Sequence, residues 1–295
     1  MTDATGVGTR RAPRRALRAV LLLGAGLAVG LHAAPAPQRI ASLNLAADEV
    51  LVEILPPGRL VAVTAASDDP ASSNVVGRIP ASIPRFFRAD MERLVALRPD
   101  LVIVSEYTDA DFLKLLADSG LNHHRMAGLH SLEGLRQGIL ELGVAVGEPE
   151  AARRLAAGFD SRLAELATRL QGAPRPRVLY WSNPFTAGAG TAIGSLIECG
   201  GGRNLGHEMG VEGVVPIGAE RAFLADPDVV LVGSGTDAVA TLAGHPLLSQ
   251  MRAVRAGRIV ELPTRLIVAL SHHAADACWA LASALHPDRV LDEPR

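Results

Sequence analysis

The sequence predicts an α/β protein: two Rossmann-like lobes with mainly parallel sheets, joined by one long α-helix, with a ligand cleft between them. Three observations predict it. ERLVALRPDLVIV, from Glu92, and ERAFLADPDVVLV, from Glu220, align without gaps at an offset of 128 residues, with six identities. Each reads as a short helix, a Pro-Asp turn and a buried strand. The two lobes also open alike, with an arginine, an apolar strand and a polar turn into a helix: RIASLNLAADEVL at Arg39 and RVLYWSNPFTAG at Arg177. Finally, the segment between them has helical periodicity.

Residues 1–34 read as a secretory leader. Arg10, Arg11, Arg14, Arg15 and Arg18 precede an apolar run of twelve residues, Val20 to Leu31, and Ala33-Ala34 offers small residues for cleavage. The run is shorter than the ~20 residues that a spanning helix needs. The first lobe is expected over 38–146, with strands at Arg39–Leu43, Leu60–Thr64 and Leu101–Ser105. A connecting helix follows at 147–172. There Leu155, Phe159, Leu163, Leu166 and Leu170 recur at intervals of four, four, three and four, one apolar face of a helix. Pro149 suits its first turn, and Gly172-Ala-Pro-Arg-Pro ends it. The second lobe is expected over 173–295, with strands at Val178–Trp181, Val229–Gly233 and Arg258–Leu262.

Parallel sheets bind ligands beyond the carboxyl ends of their strands. Those ends carry Asn44, Ser67-Asp68-Asp69 and Glu106-Tyr107 in the first lobe. In the second they carry Ser182 to Thr186, Ser234-Gly235 and Thr264-Arg265.

Composition excludes several functions. Of 295 residues, 48% are apolar and 20% charged, which is globular, while aromatic residues are only 3%, so any aromatic cage is sparse. Loss of the leader leaves 24 basic and 30 acidic residues, a formal charge of −6, unsuited to nucleic acid. The two cysteines, Cys199 and Cys278, lie in the exported part, where an even count favours a bridge over two free thiols.

The stretch AGAGTAIG, Ala187 to Gly194, is glycine-rich but is no phosphate loop. It lacks the lysine of a Walker A motif, Lys114 being the chain's sole lysine, and its glycines give GxGxxxG rather than GxGxxG. Its glycines are expected to bring backbone close to a ligand, beside a helix N-terminus at Thr191 that faces the cleft. No GxSxG occurs, and no nucleophile, base and orienting group stand together, so no enzyme is expected. The histidines offer a different class, a zinc or manganese binder using cleft histidines. No HxH or HxxxH is present, and neighbours such as His123-His124 and His272-His273 diverge on a strand or a helix.

Taken in order, the leader, RIASLNLAADEVL, ERLVALRPDLVIVSE, the helical segment, NPFTAGAGTAIGSLIECGGGRN and ERAFLADPDVVLV are similar to the periplasmic substrate-binding proteins of ABC importers for vitamin B12 and ferric siderophores, the helical-backbone class III type. The resemblance spans about Arg39 to Leu285. It implies a monomer in the periplasm that captures a small metal chelate and delivers it to a permease dimer in the inner membrane. The protein itself would carry no covalent cofactor, and the transported ligand would carry cobalt or iron, as a corrinoid, a ferric siderophore or haem.

The resemblance also implies residue roles. Glu92 and Glu220, each opening one copy of the echo, would dock on permease arginines, and Cys199 and Cys278 would be bonded to each other. The positions that grip the macrocycle in the vitamin B12 members correspond to Asp69, Phe86 and Val214. The ligand-binding set expected here is Asn44, Asp68, Asp69, Arg85, Phe86, Glu106, Tyr107, Trp181, Asn183, Phe185, Thr186, Val214, Ser234 and Arg265. Tyr107 or a cleft histidine would be the axial ligand if the cargo were haem.

Overall fold

The computed structural model describes residues 35–290; the expected leader, 1–34, lies outside the described residues. The first lobe runs through β1 (Ile40–Ser42), α1 (Leu45–Ile54), β2 (Leu60–Thr64), β3 (Arg85–Phe86), α2 (Met91–Ala96), β4 (Leu101–Ser105), α3 (Ala110–Asp118), β5 (His123–Met126) and α4 (Leu132–Ala145). Its sheet has the order β3-β2-β1-β4-β5, and every pair is parallel. β1 is buried along its whole length, with Ile40 opposite Leu101 and Ser42 opposite Ile103. A strand covered on both faces reads as an unbroken apolar run, which is why LVIV in β4 was legible. The helices start at Asn44, Asp90, Asp109 and Ser131, each accepting from N–H groups of the first turn.

The spine α5 (Pro149–Arg169) is 21 residues, about 32 Å long. Its first half puts Ala152, Ala156 and Phe159 into the core of the first lobe with Ile139 and Leu142. Its second half puts Leu166 into the core of the second lobe with Trp279 and Leu281, and Leu163 packs against both. One helix thus belongs to two hydrophobic cores, which is what holds the lobes to it. Gly143 on α4 permits a close crossing, since a Cβ there would come 2.1 Å from that of Ala152. Arg59, buried under β2's entry, donates to Glu148 at 2.6 Å at the start of the spine.

The second lobe contains β6 (Arg177–Tyr180), β7 (Phe185–Ala187), α6 (Ala192–Cys199), β8 (Arg203–Asn204), α7 (Leu205–Glu208), β9 (Val214–Pro216), α8 (Ala219–Ala225), β10 (Val229–Ser234), α9 (Ala238–Gly244), α10 (Arg252–Arg255), β11 (Ile259–Pro263), α11 (Thr264–Ile267) and α12 (Ala274–Leu285). Its main sheet, β11-β10-β6-β8, is again parallel, and β7 pairs antiparallel with β9 as a small flap. The short or edge strands β3, β5, β7, β8 and β9 were not predicted. His-His-Arg-Met in β5, for instance, exposes alternate polar side chains and has no apolar run to mark it.

Cys199 and Cys278 form a disulfide that ties the last turn of α6 to α12. Gly200, next in sequence, lets α12 close on α6; a Cβ there would stand 2.8 Å from Leu281. Among the described residues, no helix is long and apolar enough to cross a membrane.

Candidate ligand-binding cleft

Because both main sheets are parallel, all their carboxyl ends in one lobe lie on one side, and the loops that follow form that lobe's binding edge. The expected residues fall into three groups there. The first is exposed. Tyr107, after β4, is 69% exposed, and Val214 and Phe185, on the β7–β9 flap, are 54% and 41% exposed. Asn183, in the loop before β7, is exposed as well. Phe185 lies opposite Pro216, and Val214 opposite Ala187, on one face of the flap.

The second group is buried and packed into the fold. Trp181 is 2% exposed and sits in the core with Leu179, Leu205 and Val232, because the strand's alternation turns it inward. Phe86 is 3% exposed, packed with Leu94, Val104 and Leu116 under the Arg93 guanidinium, 4.7 Å from its ring centroid. Thr186 is fully buried and donates to the Tyr180 carbonyl at 2.8 Å. Asn44 is buried as the α1 cap, its Oδ1 accepting from Ala46 N–H at 2.8 Å. In place of Phe86, the neighbouring Phe87 is 90% exposed. Phe87 lies just past the end of β3, outside the covered sheet.

The third group is polar and shapes the loops. Arg85 makes a forked pair with Asp68, at 2.8 and 2.9 Å, and also donates to the Ile79, Pro80 and Ile83 carbonyls. Arg85 holds the Asp68 carboxyl below the usual range. Asp69 accepts from Ala71 N–H at 3.0 Å and Ser72 Oγ at 2.7 Å, closing its own turn, and the Ser72 hydroxyl keeps its pKa low. Glu106 accepts from Leu129 N–H at 2.8 Å and Gly128 N–H at 3.3 Å, holding the loop after β5. The Ser234 carbonyl accepts from Thr264 Oγ1 at 2.7 Å. The Arg265 carbonyl accepts from Asn74 Nδ2 at 3.3 Å, a bond between the lobes. Partial desolvation, then the neighbouring Glu106 charge, raise the Tyr107 pKa, so the phenol stays protonated near neutrality.

Beneath this edge Asp48 is fully buried, with Oδ2 accepting from Thr64 N–H (2.9 Å), Thr64 Oγ1 (2.6 Å) and Ser67 Oγ (2.6 Å). Burial pushes it up to about 6, against the lowering effect of those donors. Next to it, a cavity of about 340 Å³ is lined by Leu43, Thr64, Phe86, Phe87, Thr108 and Phe112. A larger one, about 740 Å³, lies between the start of α4 and the glycine-rich loop, with Ser131, Thr191, Ser195, Asn204 and His207 on its walls and no aromatic ring.

Gly188, Gly190 and Gly194 line this larger cavity, and two of them also let backbone pack on backbone. A Cβ on Gly188 would stand 1.9 Å from the Val211 carbonyl, and one on Gly194 2.6 Å from the Gly188 carbonyl. Both serve packing of backbone on backbone inside the second lobe. The N-terminus at Thr191 is capped by its own hydroxyl, which accepts from Gly194 N–H at 2.9 Å.

Glu92 and Glu220 are both exposed, in the first turns of α2 and α8. Each helix leads by a short turn into a parallel strand, so it runs back along the sheet and starts on the cleft side. The two carboxylates therefore sit at equivalent places on the two lobes. The divergence expected for His272-His273 does not occur. They lie in a turn, with ring centroids 4.1 Å apart, and burial lowers the His272 pKa to about 4. His130, in the turn before α4, and His207, in α7, are exposed and, among the described residues, do not join a group of three ligating side chains.

Comparison with known proteins agrees with this architecture. A family model described as a periplasmic binding protein matches residues 40–266. A cobalamin-binding protein of Halobacterium salinarum is 25% identical over 259 residues, covering 85% of this chain and 70% of that protein. The structure of a periplasmic heme-binding protein from Pseudomonas aeruginosa matches at 27% identity with a TM-score of 0.72, over 86% of this chain and 94% of that one. An apo periplasmic heme-binding protein from Roseiflexus sp. RS-1 matches at 25% identity and a TM-score of 0.72, over 84% and 98%.

Proposed function

The chain belongs to the periplasmic binding protein family, and from that premise we propose that it captures a flat metal chelate, a corrinoid or haem, in its cleft and delivers it to an ABC importer permease. A ferric siderophore is the third cargo of the same class. The observation that carries the reading is the set of exposed apolar side chains on both lobes: Phe87 after β3 and Tyr107 after β4 in the first, Phe185 and Val214 on the β7–β9 flap and Val268 after α11 in the second. Exposed apolar groups at the binding edge are surface that a ligand can cover. A macrocycle has two apolar faces to offer them, and aromatic rings bury large areas against such faces. Relatives that bind cobalamin or heme support the class of cargo. If haem is the cargo, the exposed Tyr107 would ligate the iron as phenolate, giving up its proton on binding.

Glu92 and Glu220 serve as the docking contacts, one on each lobe. The expected leader and the disulfide both fit an exported, periplasmic protein. The protein works by binding and release, without covalent chemistry. The alternative, a zinc or manganese binder using cleft histidines, lacks support, since His130 and His207 do not converge with a third ligand.

The test is a titration of the purified protein with cyanocobalamin, hemin, a ferric catecholate and a ferric hydroxamate, read by absorbance and tryptophan fluorescence. One of these should saturate at one equivalent, and the paired change Phe87→Ala with Phe185→Ala should weaken it at least tenfold. Absence of saturable binding by all four would overturn the reading.

A further inference from the structure

We propose that Glu53, His272 and His273 form a site for a divalent transition-metal ion of the zinc class, bridging the two lobes away from the cleft. Glu53 lies in the last turn of α1, in the first lobe, while the histidines precede α12 in the second. The surfaces meet there. One turn earlier on α1, buried Glu49 accepts from the hydroxyl of Ser271, the residue before His272, and also from Asn74 N–H at 2.8 Å.

Three features point to a metal. One ligating atom from each of the three side chains lies within 4.8 Å of the other two. His273 is oriented as metal-bound imidazoles are: its Nδ1 is 2.5 Å from Asp276 Oδ2, and Asp276 is paired in turn with Arg162 on the spine at 2.6 Å. A proton shared with that carboxylate fixes the tautomer and leaves the Nε2 lone pair free to ligate. That Nε2 is buried with no hydrogen-bond partner, and so is Nδ1 of His272. Nε2 of His272 is the nitrogen nearer Glu53, 3.8 Å from its carboxylate, and the orphaned ring nitrogens are otherwise an uncompensated desolvation.

Two imidazoles and a carboxylate suit zinc or its neighbours rather than magnesium or calcium. Tetrahedral zinc, with bonds of about 2.0–2.1 Å, leaves a fourth position for water on the side where Glu53 meets solvent. Arg78 is the competitor, since it is paired with one Glu53 oxygen, at 45% side-chain exposure. The ion has to displace that contact or take the other oxygen.

The test uses the untagged protein, stripped with chelator and titrated with zinc against a chromophoric chelator and with cobalt(II) by visible absorption. We expect one equivalent bound, with the d–d bands of a four-coordinate site. Glu53→Gln and His273→Ala should each weaken binding at least tenfold, while Arg78→Ala tightens it by freeing the carboxylate. No stoichiometric uptake, or affinity unmoved by Glu53→Gln, overturns the site. If His273→Ala fails to fold, Glu53→Gln and Arg78→Ala at the part-exposed end of α1 still decide, because their effects are opposite in sign. Binding of cobalamin or hemin should be unchanged in Glu53→Gln, so the metal site and the cleft stand or fall separately.

Discussion

Asp100 and Asp228 occupy the same place in two copies of one turn. Asp100 accepts from the backbone N–H of Arg39 at 2.9 Å, and Asp228 from that of Arg177 at 2.9 Å, so each stitches the opening strand of its lobe to the strand it precedes. The return bonds match too, from Asp100 N–H to the Arg39 carbonyl and from Asp228 N–H to the Arg177 carbonyl, both 2.9 Å. Two residues upstream, Arg98 and Asp226 are the non-glycine residues with positive φ among those described, at 47° and 46°. The arginines that open the lobes reach those same turns, Arg39 donating to the Arg98 carbonyl at 3.0 Å and Arg177 to the Asp226 carbonyl at 3.1 Å. The echo in sequence is therefore an echo in hydrogen bonding.

Asp228→Ala should destabilise the protein by about 1–3 kcal/mol, the cost of stranding the Arg177 N–H and losing the Arg252 contact at 2.9 Å. The backbone N–H of Arg177 is the main cause of its lowered pKa. A depressed carboxyl stabilises the fold above its unfolded pKa and ceases to do so as pH falls through the folded value. The gap between wild type and variant in urea melts should be full at pH 7 and shrink on acidification below the ordinary aspartate range.

Asp48 has the opposite sign. Its pKa rises from 3.8 to about 6 because burial disfavours the charge. Between those values the folded state holds the extra proton, so stability falls as pH rises from about 4 to 6 and levels off above. Asp48→Asn should flatten that window in denaturant melts at pH 4, 5, 6 and 7. A slope unchanged in the variant would assign it to another group.

The burial of Trp181 is separable from the proposed binding role of Phe87. Trp181→Ala removes a buried ring and should cost about 3–5 kcal/mol. Phe87→Ala and Tyr107→Ala remove exposed rings, so melting should be within about 0.5 kcal/mol of wild type, with the loss confined to ligand affinity.

Replacing both cysteines by alanine should cost about 2–4 kcal/mol, since the bridge closes a separation of 79 residues. Ligand affinity is read in parallel, because Ser195 and Cys199 of α6 line the larger cavity. Mass spectrometry of protein from an oxidising compartment should show no free thiol.

Glu92→Ala with Glu220→Ala should leave ligand affinity within twofold and slow uptake in reconstituted vesicles at least tenfold. Exposed rim charges govern orientation and association rather than cargo binding. Transport at the wild-type rate would remove their docking role.

Patterns of period and punctuation were sufficient for the fold. Val229–Val232 and Leu101–Val104 are unbroken apolar runs because their strands are covered on both faces, and Leu155 to Leu170 repeats at helical spacing because α5 lies on two cores. The duplicated Pro-Asp turn was visible because a backbone hydrogen bond needs the same side chain at both places. The site was legible only to the level of its loops. Whether Phe86 or Phe87 faces out depends on where a two-residue edge strand ends, and whether Trp181 is buried depends on what packs over the end of β6. Neither is written in residue type. Glu53 and His272 are 219 positions apart, and the first signal that they meet is the packing of α1 against the turn before α12. Local propensity is carried by neighbours in the chain, whereas burial and convergence belong to surfaces that only the closed fold brings together.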